Sequence, residues 1–407
     1  MKSTISLSNL ATGLIVMLVG VTSSIAVIFQ AAAAAGATPA EMSSWILALG
    51  IGMGVTCIGF SLYYRVPILT AWSTPGAALL ITSLSGVSMP EAIGAFIFSA
   101  LLIFLSGVTG FFEKTIVHIP RSLAAAMLAG ILFHFGMGIF TAMQHQFILV
   151  FAMFIVFLIG KNIFPRFSIL IVLLVGMMIS YFQGLLHLEN FHIAFSSPVW
   201  TAPVFSFSAL VSVGIPLFIV TMTSQNIPGA AIIHAAGYHP PISKIMSWIG
   251  LTNLLIAPFG GFALNLAAIT AAICLGKEAD ADPAERYKAA ICSGIFYLIL
   301  GLFGATVVML FNALPNELVF AVAGLALFSV ISSSLQTAME DEGEREAALI
   351  TLLVSASGIS FFDIGSACWG LVAGIISLVL LKSYNKIRST EKSYADIMVK
   401  EDSYEKH

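Results

Sequence analysis

The sequence predicts an all-α membrane protein whose fourteen transmembrane segments form a seven-plus-seven inverted repeat. Three observations predict it: a lipid-like composition, basic residues on one side only, and polar motifs that recur in order across two halves. Of 407 residues, 59% are hydrophobic and 9% charged, with mean hydropathy +1.01. A soluble domain carries about 25% charged residues. No globular core absorbs so much apolar surface, so lipid is the natural solvent for these side chains. A net charge of −3 argues for no nucleic-acid partner. Cys57, Cys274, Cys292 and Cys368 stand singly in apolar runs, with no CxxC pair and no histidine cluster nearby. That pattern predicts buried small hydrophobes, with no metal site, disulfide or cofactor.

Roughly twenty apolar residues cross a bilayer as a helix. Blocks of that kind fall near 9–35, 41–63, 67–84, 90–110, 119–142, 146–160 and 167–186 in the first half. The second half supplies 207–236, 242–257, 259–275, 286–312, 317–338, 346–358 and 362–381. The first block follows Lys2 as a signal peptide would, but it is long enough to span alone and reads as a retained helix. With the amino terminus inside, all seventeen Lys and Arg fall in inner segments and none in outer ones. A wrong span count would put many of them outside. Both termini are therefore expected on the cytoplasmic side of a bacterial inner membrane, with 187–206 as a periplasmic connection.

The halves echo one another. Thr22-Ser23-Ser24 and the Ala34–Pro39 segment recur as Thr223-Ser224-Gln225 and Ala235–Pro240, at an offset of 201. Pro67 and Thr74 are answered by Pro258 and Asn265, and Ile119-Pro120 by Leu314-Pro315. Seven spans per half is odd, so the second half enters the membrane inverted. Such repeats are a transporter signature, because exchanging the conformations of the halves gives alternating access.

Interrupted spans in corresponding positions point to a midplane site. Spans three and ten each open on a proline, continue as an extended stretch and resume as a helix. Ser73 or Thr74, before Pro75 and Gly76, and Asn265, before Leu266 and Ala267, read as N-caps of two facing half-helices. Their free N–H groups and partial positive charge suit an anion, in spans that read as free of Lys and Arg. Trp72 and Phe262 stand beside the caps, either flanking an aromatic ring or simply packing. Gln225 and Asn226 form the most polar intramembrane cluster, readable as substrate contacts or as a structural knot; Ser24 is the repeat mate of Gln225. His134, the one ionisable residue well inside a span, is the proton-coupling candidate. No span pairs carboxylates or carries a Cys/His dyad, GxSxG or HExxH, so an enzyme is not expected.

The stretches Leu69–Leu79 (LTAWSTPGAAL), Ser224–Gly229 (SQNIPG) and Phe259–Ala268 (FGGFALNLAA) resemble the benzoate–proton symporter (BenE) family over nearly the whole chain, to about Lys382. That family is similar to nucleobase and SLC26-type transporters. The resemblance implies short antiparallel strands before the third and tenth helices. It implies a core domain (1–110 and 207–312) moving against a gate domain (111–186 and 313–382), with 383–407 as a cytoplasmic tail. It implies proton-coupled uptake of benzoate or a similar aromatic carboxylate, held by Trp72, Ser73, Thr74, Gly76, Gln225, Asn226, Phe262, Asn265, Ala267 and Ser24. The alternatives are a same-fold carrier of a nucleobase or another organic anion, or an anion channel or exchanger. Partners are lipid, protons and the small anionic substrate; a homodimer is left open. Uracil-type carriers place acids on spans eight and ten, where this chain has Gln225 and Leu264-Asn265. Losing carboxylates suits an anionic substrate, since like charges repel strongly in low dielectric.

Overall fold

The computed structural model describes residues 5–110, 120–165, 167–187, 191–359, 361–362 and 364–383. Lys2, Lys114, Ile119, Arg166 and the tail beyond 383 lie outside the described residues.

Helix starts follow local chemistry. α1 (Leu7–Thr22) opens on a reciprocal cap between Ser6 and Asn9, then bends by 40° at Ser23–Ser24 into α2 (Ile25–Ala34). α3 (Pro39–Tyr64) opens on Thr38 with Glu41. Then come β1 (Thr70–Trp72) and α4 (Thr74–Ser83), before α5 (Met89–Val108) opens on Ser88 with Glu91. In α3 and α5 a proline occupies the first turn, where its missing N–H costs nothing. α6 (Arg121–His145), α7 (Phe147–Ile163) and α8 (Ser168–Phe182) complete the first half.

The second half begins with α9 (Phe207–Ala235), interrupted by π-helical turns at Leu210–Gly214 and Met222–Asn226. Pro216 and Pro228, just beyond these turns, cannot donate to the helical ladder, and the wider turns accommodate that loss. α10 (Ile242–Ile256), β2 (Leu264–Leu266) and α11 (Ile269–Leu275) follow. α12 (Tyr287–Leu302) bends by 63° into α13 (Gly304–Asn312). α14 (Asn316–Ala338), α15 (Arg345–Ala356) and α16 (Ser366–Ser383) close the described chain.

Among the described residues, seven helices are long and apolar enough to cross a membrane, or nine if each bent pair is one span; α7 and α8 are apolar but shorter. Large apolar side chains such as Leu105, Phe147, Leu158 and Phe207 are exposed, as expected where lipid is the solvent. Small residues set the tightest crossings. A β-carbon at Gly50 would overlap Gly301, and one at Gly54 would meet Gly294, so α3 and α12 approach backbone to backbone. α5 and α10 do the same through Gly107 and Gly250.

The two strands meet at the centre. β1 and β2 pair antiparallel, with Thr70 opposite Leu266, Ala71 opposite Asn265 and Trp72 opposite Leu264. The pairing extends outward through Ala267 N–H to the Leu69 carbonyl (2.9 Å) and Ser73 N–H to the Ala263 carbonyl (3.0 Å). A two-stranded ribbon has two outer edges, and within a bilayer each open backbone group costs several kcal/mol unless paired. Helix α3 covers the β1 edge. Cys57 Sγ accepts from Thr70 N–H (3.2 Å), and Ser61 Oγ bonds both the N–H and the carbonyl of Ile68 (3.2 and 3.1 Å). Asparagines cover the β2 edge. Asn253 takes the Leu264 N–H (2.7 Å) and donates to its carbonyl (3.0 Å), while Asn226 accepts from Leu266 N–H (2.8 Å).

Asn265 is therefore not an N-cap. It sits in mid-strand, fully buried, and α11 begins at Ile269 with Ala268 as its cap. The bonds from Asn226, Asn253 and Leu69 keep residues 264–267 extended, which delays the helix. With the amide orientation its neighbours require, Asn265 donates to the Leu266 carbonyl (2.9 Å) and accepts from Ser73 N–H (3.1 Å).

Candidate functional site

A cavity of about 510 Å³ opens beside the strand pair, within the usual range for small-molecule sites. One wall comes from α1, α3, β1, α4, α9, α11 and α12; the other comes from α7, α8 and α14. The first wall carries Ser24, Thr74, Gln225 and Thr270 among apolar side chains such as Met53 and Ile273. The second carries Ser168 and Ser329 among Phe157, Ile169, Leu325 and Val330. Among the described lining residues none is Asp or Glu, and one, Lys161, is a cation.

The break in α1–α2 builds the first polar contact. Ser24 Oγ donates to the Gly20 carbonyl and accepts the Trp72 indole N–H, both at 2.7 Å. Trp72 is thereby clamped, 4% exposed, with its ring against the cavity. Thr74 follows at the first position of α4 and lines the cavity directly. Ser73 is the cap of α4, but its hydroxyl is already engaged: it accepts the Gly76 N–H (3.0 Å) and the Thr221 hydroxyl (3.3 Å). Pro75 has no N–H, so little of the α4 terminus is left for a ligand.

Two neighbours on the second π turn of α9 point in different directions. Asn226 is fully buried, with its oxygen on β2 and its nitrogen donating to Met222 Sδ (3.2 Å). Gln225, one residue earlier, faces the cavity, and its amide has no hydrogen-bond partner among the described residues.

Of the residues singled out from sequence, the structure brings Ser24, Trp72, Thr74, Gln225 and Ala267 together on the cavity wall. Ser73, Gly76, Asn226 and Asn265 lie behind that wall, holding its backbone. Phe262 is 1% exposed and packs on Trp45 (6.0 Å) and Phe96 (6.2 Å), so it is a core aromatic. His134 is exposed on α6 and is not among the residues lining the cavity. Among the lining residues that the sequence reading did not single out are Thr270, Tyr297 and Lys161. Thr270 and Tyr297 belong to apolar runs with no polar neighbour to flag them. Lys161 was expected in an inner loop, but α7 runs to Ile163 and carries it in its last turn; it is a helix-end residue and not a loop one.

The cavity sets neutral hydrogen-bonding side chains and one cation beside apolar ones, a lining suited to holding a small molecule. Comparison with known proteins agrees. The family model described as benzoate membrane transport protein (BenE) matches residues 3–380. The chain is 47% identical over 373 residues to Escherichia coli inner membrane protein YdcO, covering 92% of this chain and 95% of that one. It is 39% identical over 381 residues to the benzoate membrane transport protein of Acinetobacter baylyi, covering 94% and 97%. In fold it is similar to SLC26A9, with TM-score 0.63 at 13% identity over 93% of this chain and 65% of that one. It is similar too to the transmembrane domain of the cyanobacterial bicarbonate transporter BicA, with TM-score 0.57 at 13% identity over 91% and 97%. The protein is a multi-pass membrane transporter, not an enzyme, and it belongs to the benzoate membrane transport protein (BenE) family.

Proposed function

We propose that this protein is a secondary transporter that takes up benzoate or a similar aromatic carboxylate, coupled to protons, across the bacterial inner membrane. One observation carries the reading: the cavity sets neutral hydrogen-bond donors beside apolar side chains, with no Asp or Glu among its described lining residues. An aromatic ring suits the wall of Phe157, Ile169, Leu325 and Val330. A carboxylate suits Thr74, Gln225 and Thr270, which can donate hydrogen bonds without bringing negative charge. The name of the Acinetobacter relative supports the same substrate class. Ser24 and Trp72 serve as the clamped rim, and Ala267 gives the ligand room beside the strand pair. With His134 away from the cavity, the substrate's own carboxyl group is our candidate proton carrier.

The proposed architecture is fourteen spans in a seven-plus-seven inverted repeat, with both termini cytoplasmic. Core segments 1–110 and 207–312 would move against gate segments 111–186 and 313–382. Matching details in the two halves support it. Gly36 and Gly237 both end helices with positive φ (74° and 88°), each followed by an N–H bonding back five residues, Ala37 to Ala32 and Tyr238 to Ile233. The repeat mates Ser24 and Gln225 both reach the cavity, and the α3–α12 and α5–α10 crossings exchange under the same symmetry.

The test is uptake of radiolabelled benzoate by proteoliposomes containing the purified protein, with and without an inward proton gradient. Accumulation that requires the gradient and collapses with an uncoupler is expected. Sealed, correctly reconstituted vesicles that take up no benzoate would reject the substrate and leave the fold intact.

A further inference from the structure

We infer that Lys161 is the anion-capture residue of this cavity, raising the local concentration of carboxylates at its mouth on the gate side. The inference rests on the transporter reading above and adds a named charge to it.

The geometry isolates Lys161 in three ways. It is the single charged residue among the described lining residues, so no carboxylate there cancels its field. It has no ion-pair partner among the described residues, whereas Lys288 pairs with Glu285 and Lys382 with Glu344 (3.0 Å). Its Nζ stands 5.8 Å from the centroid of the Phe157 ring, which lines the same cavity. That ring is 4% exposed and held edge-on against Phe328 (5.7 Å). Phe157 and Lys161 stand one turn apart on α7, so the helix itself holds the ammonium beside this ring.

The division of labour is physical. A cation deep among the neutral donors would bind a carboxylate too tightly to let it leave. At the mouth, beside apolar walls that focus its field, it raises local anion concentration and entry rate by about tenfold or more. The effect is screened when the Debye length falls from about 8 Å at physiological salt to about 3 Å at 1 M. The ammonium can leave its weak contact with Phe157 to meet an incoming carboxylate and then return.

The test uses full-length protein in proteoliposomes, with Ser329→Cys as a reporter on the lining of α14 and Cys368→Ser as background. The remaining cysteines, 57, 274 and 292, are buried. Labelling rates are compared for anionic and cationic methanethiosulfonate reagents of matched size, a ratio independent of any substrate. The anionic reagent is expected to be favoured. Lys161→Gln should lower the anionic-to-cationic ratio by about tenfold, Lys161→Arg should keep it, and 1 M salt should abolish the difference. A ratio unmoved by Lys161→Gln, or loss of labelling by both reagents, would overturn the inference in favour of a structural lysine. Protection of the reporter by benzoate is measured in parallel, and its half-saturating concentration should rise in Lys161→Gln. A charge-sensitive ratio without any protection by benzoate would reject the substrate reading while leaving Lys161 in its role.

Discussion

The two outer edges of the central strand pair solve one problem with different chemistry. β1 is served by a single helix, α3, through short hydroxyl and thiol groups on Thr56, Cys57 and Ser61. These bonds overlap: the Thr70 hydroxyl contacts Thr56 Oγ1 (2.5 Å), Cys57 Sγ (3.2 Å) and the Met53 carbonyl (3.4 Å). β2 is served by carboxamides from three places, Asn226 on α9, Asn253 on α10 and Asn265 in the strand itself. Asn226 and Asn253 there hold backbone groups that no other side chain reaches, while the Ser73 N–H that Asn265 accepts also has the Ala263 carbonyl. The first edge is redundant and local, while the second ties helices distant in sequence to the cavity wall. Loss of a single side chain should therefore be felt more at β2.

The largest effect is expected for Asn253→Ala, which leaves the N–H and carbonyl of Leu264 unpaired in an apolar interior. It should cost about 2–3 kcal/mol of stability, read as a lowered thermal midpoint in detergent. Retention of the wild-type midpoint would break the comparison. Gln225→Ala should leave that midpoint unchanged, because its amide holds no protein group, yet raise the half-saturating benzoate concentration about tenfold, or about 1.4 kcal/mol. If instead it melts early and transports normally, Gln225 belongs with the strand-holding amides. Thr56→Val should cost about 1 kcal/mol or less, since the Thr70 hydroxyl keeps its other partners; a loss as large as that of Asn253→Ala would contradict the redundancy. His134→Ala is expected to change neither the melting midpoint nor proton-driven uptake, and a lost proton dependence would return His134 to the mechanism.

Much of the fold was legible in the residues. Pro67 and Pro258 mark the interrupted segments, in which β1 and β2 replace helix. The candidate site was legible only in part. Asn265 looked like a cap because it precedes a small-residue run, but tertiary hydrogen bonds from Asn226 and Asn253 hold the chain extended for two further residues. Phe262 looked like a ring clamp, but Trp45 and Phe96 occupy its faces. Asn253 drew no notice, because a lone amide in α10 has no local pattern to mark it.

By itself the sequence determined the class of solvent, the places where helices must break and the polarity available at those breaks. These follow from composition, from proline's missing N–H and from the spacing of polar residues along one chain. Only the tertiary structure decided how each intramembrane polar group is used. Gln225 and Asn226 are adjacent and chemically alike, yet the helix points one at the cavity and the other at a strand edge. Inside a membrane, unwound backbone and bound ligand compete for the same few donors and acceptors. Which of them wins depends on what the fold brings within hydrogen-bonding distance, and local sequence does not carry that distance.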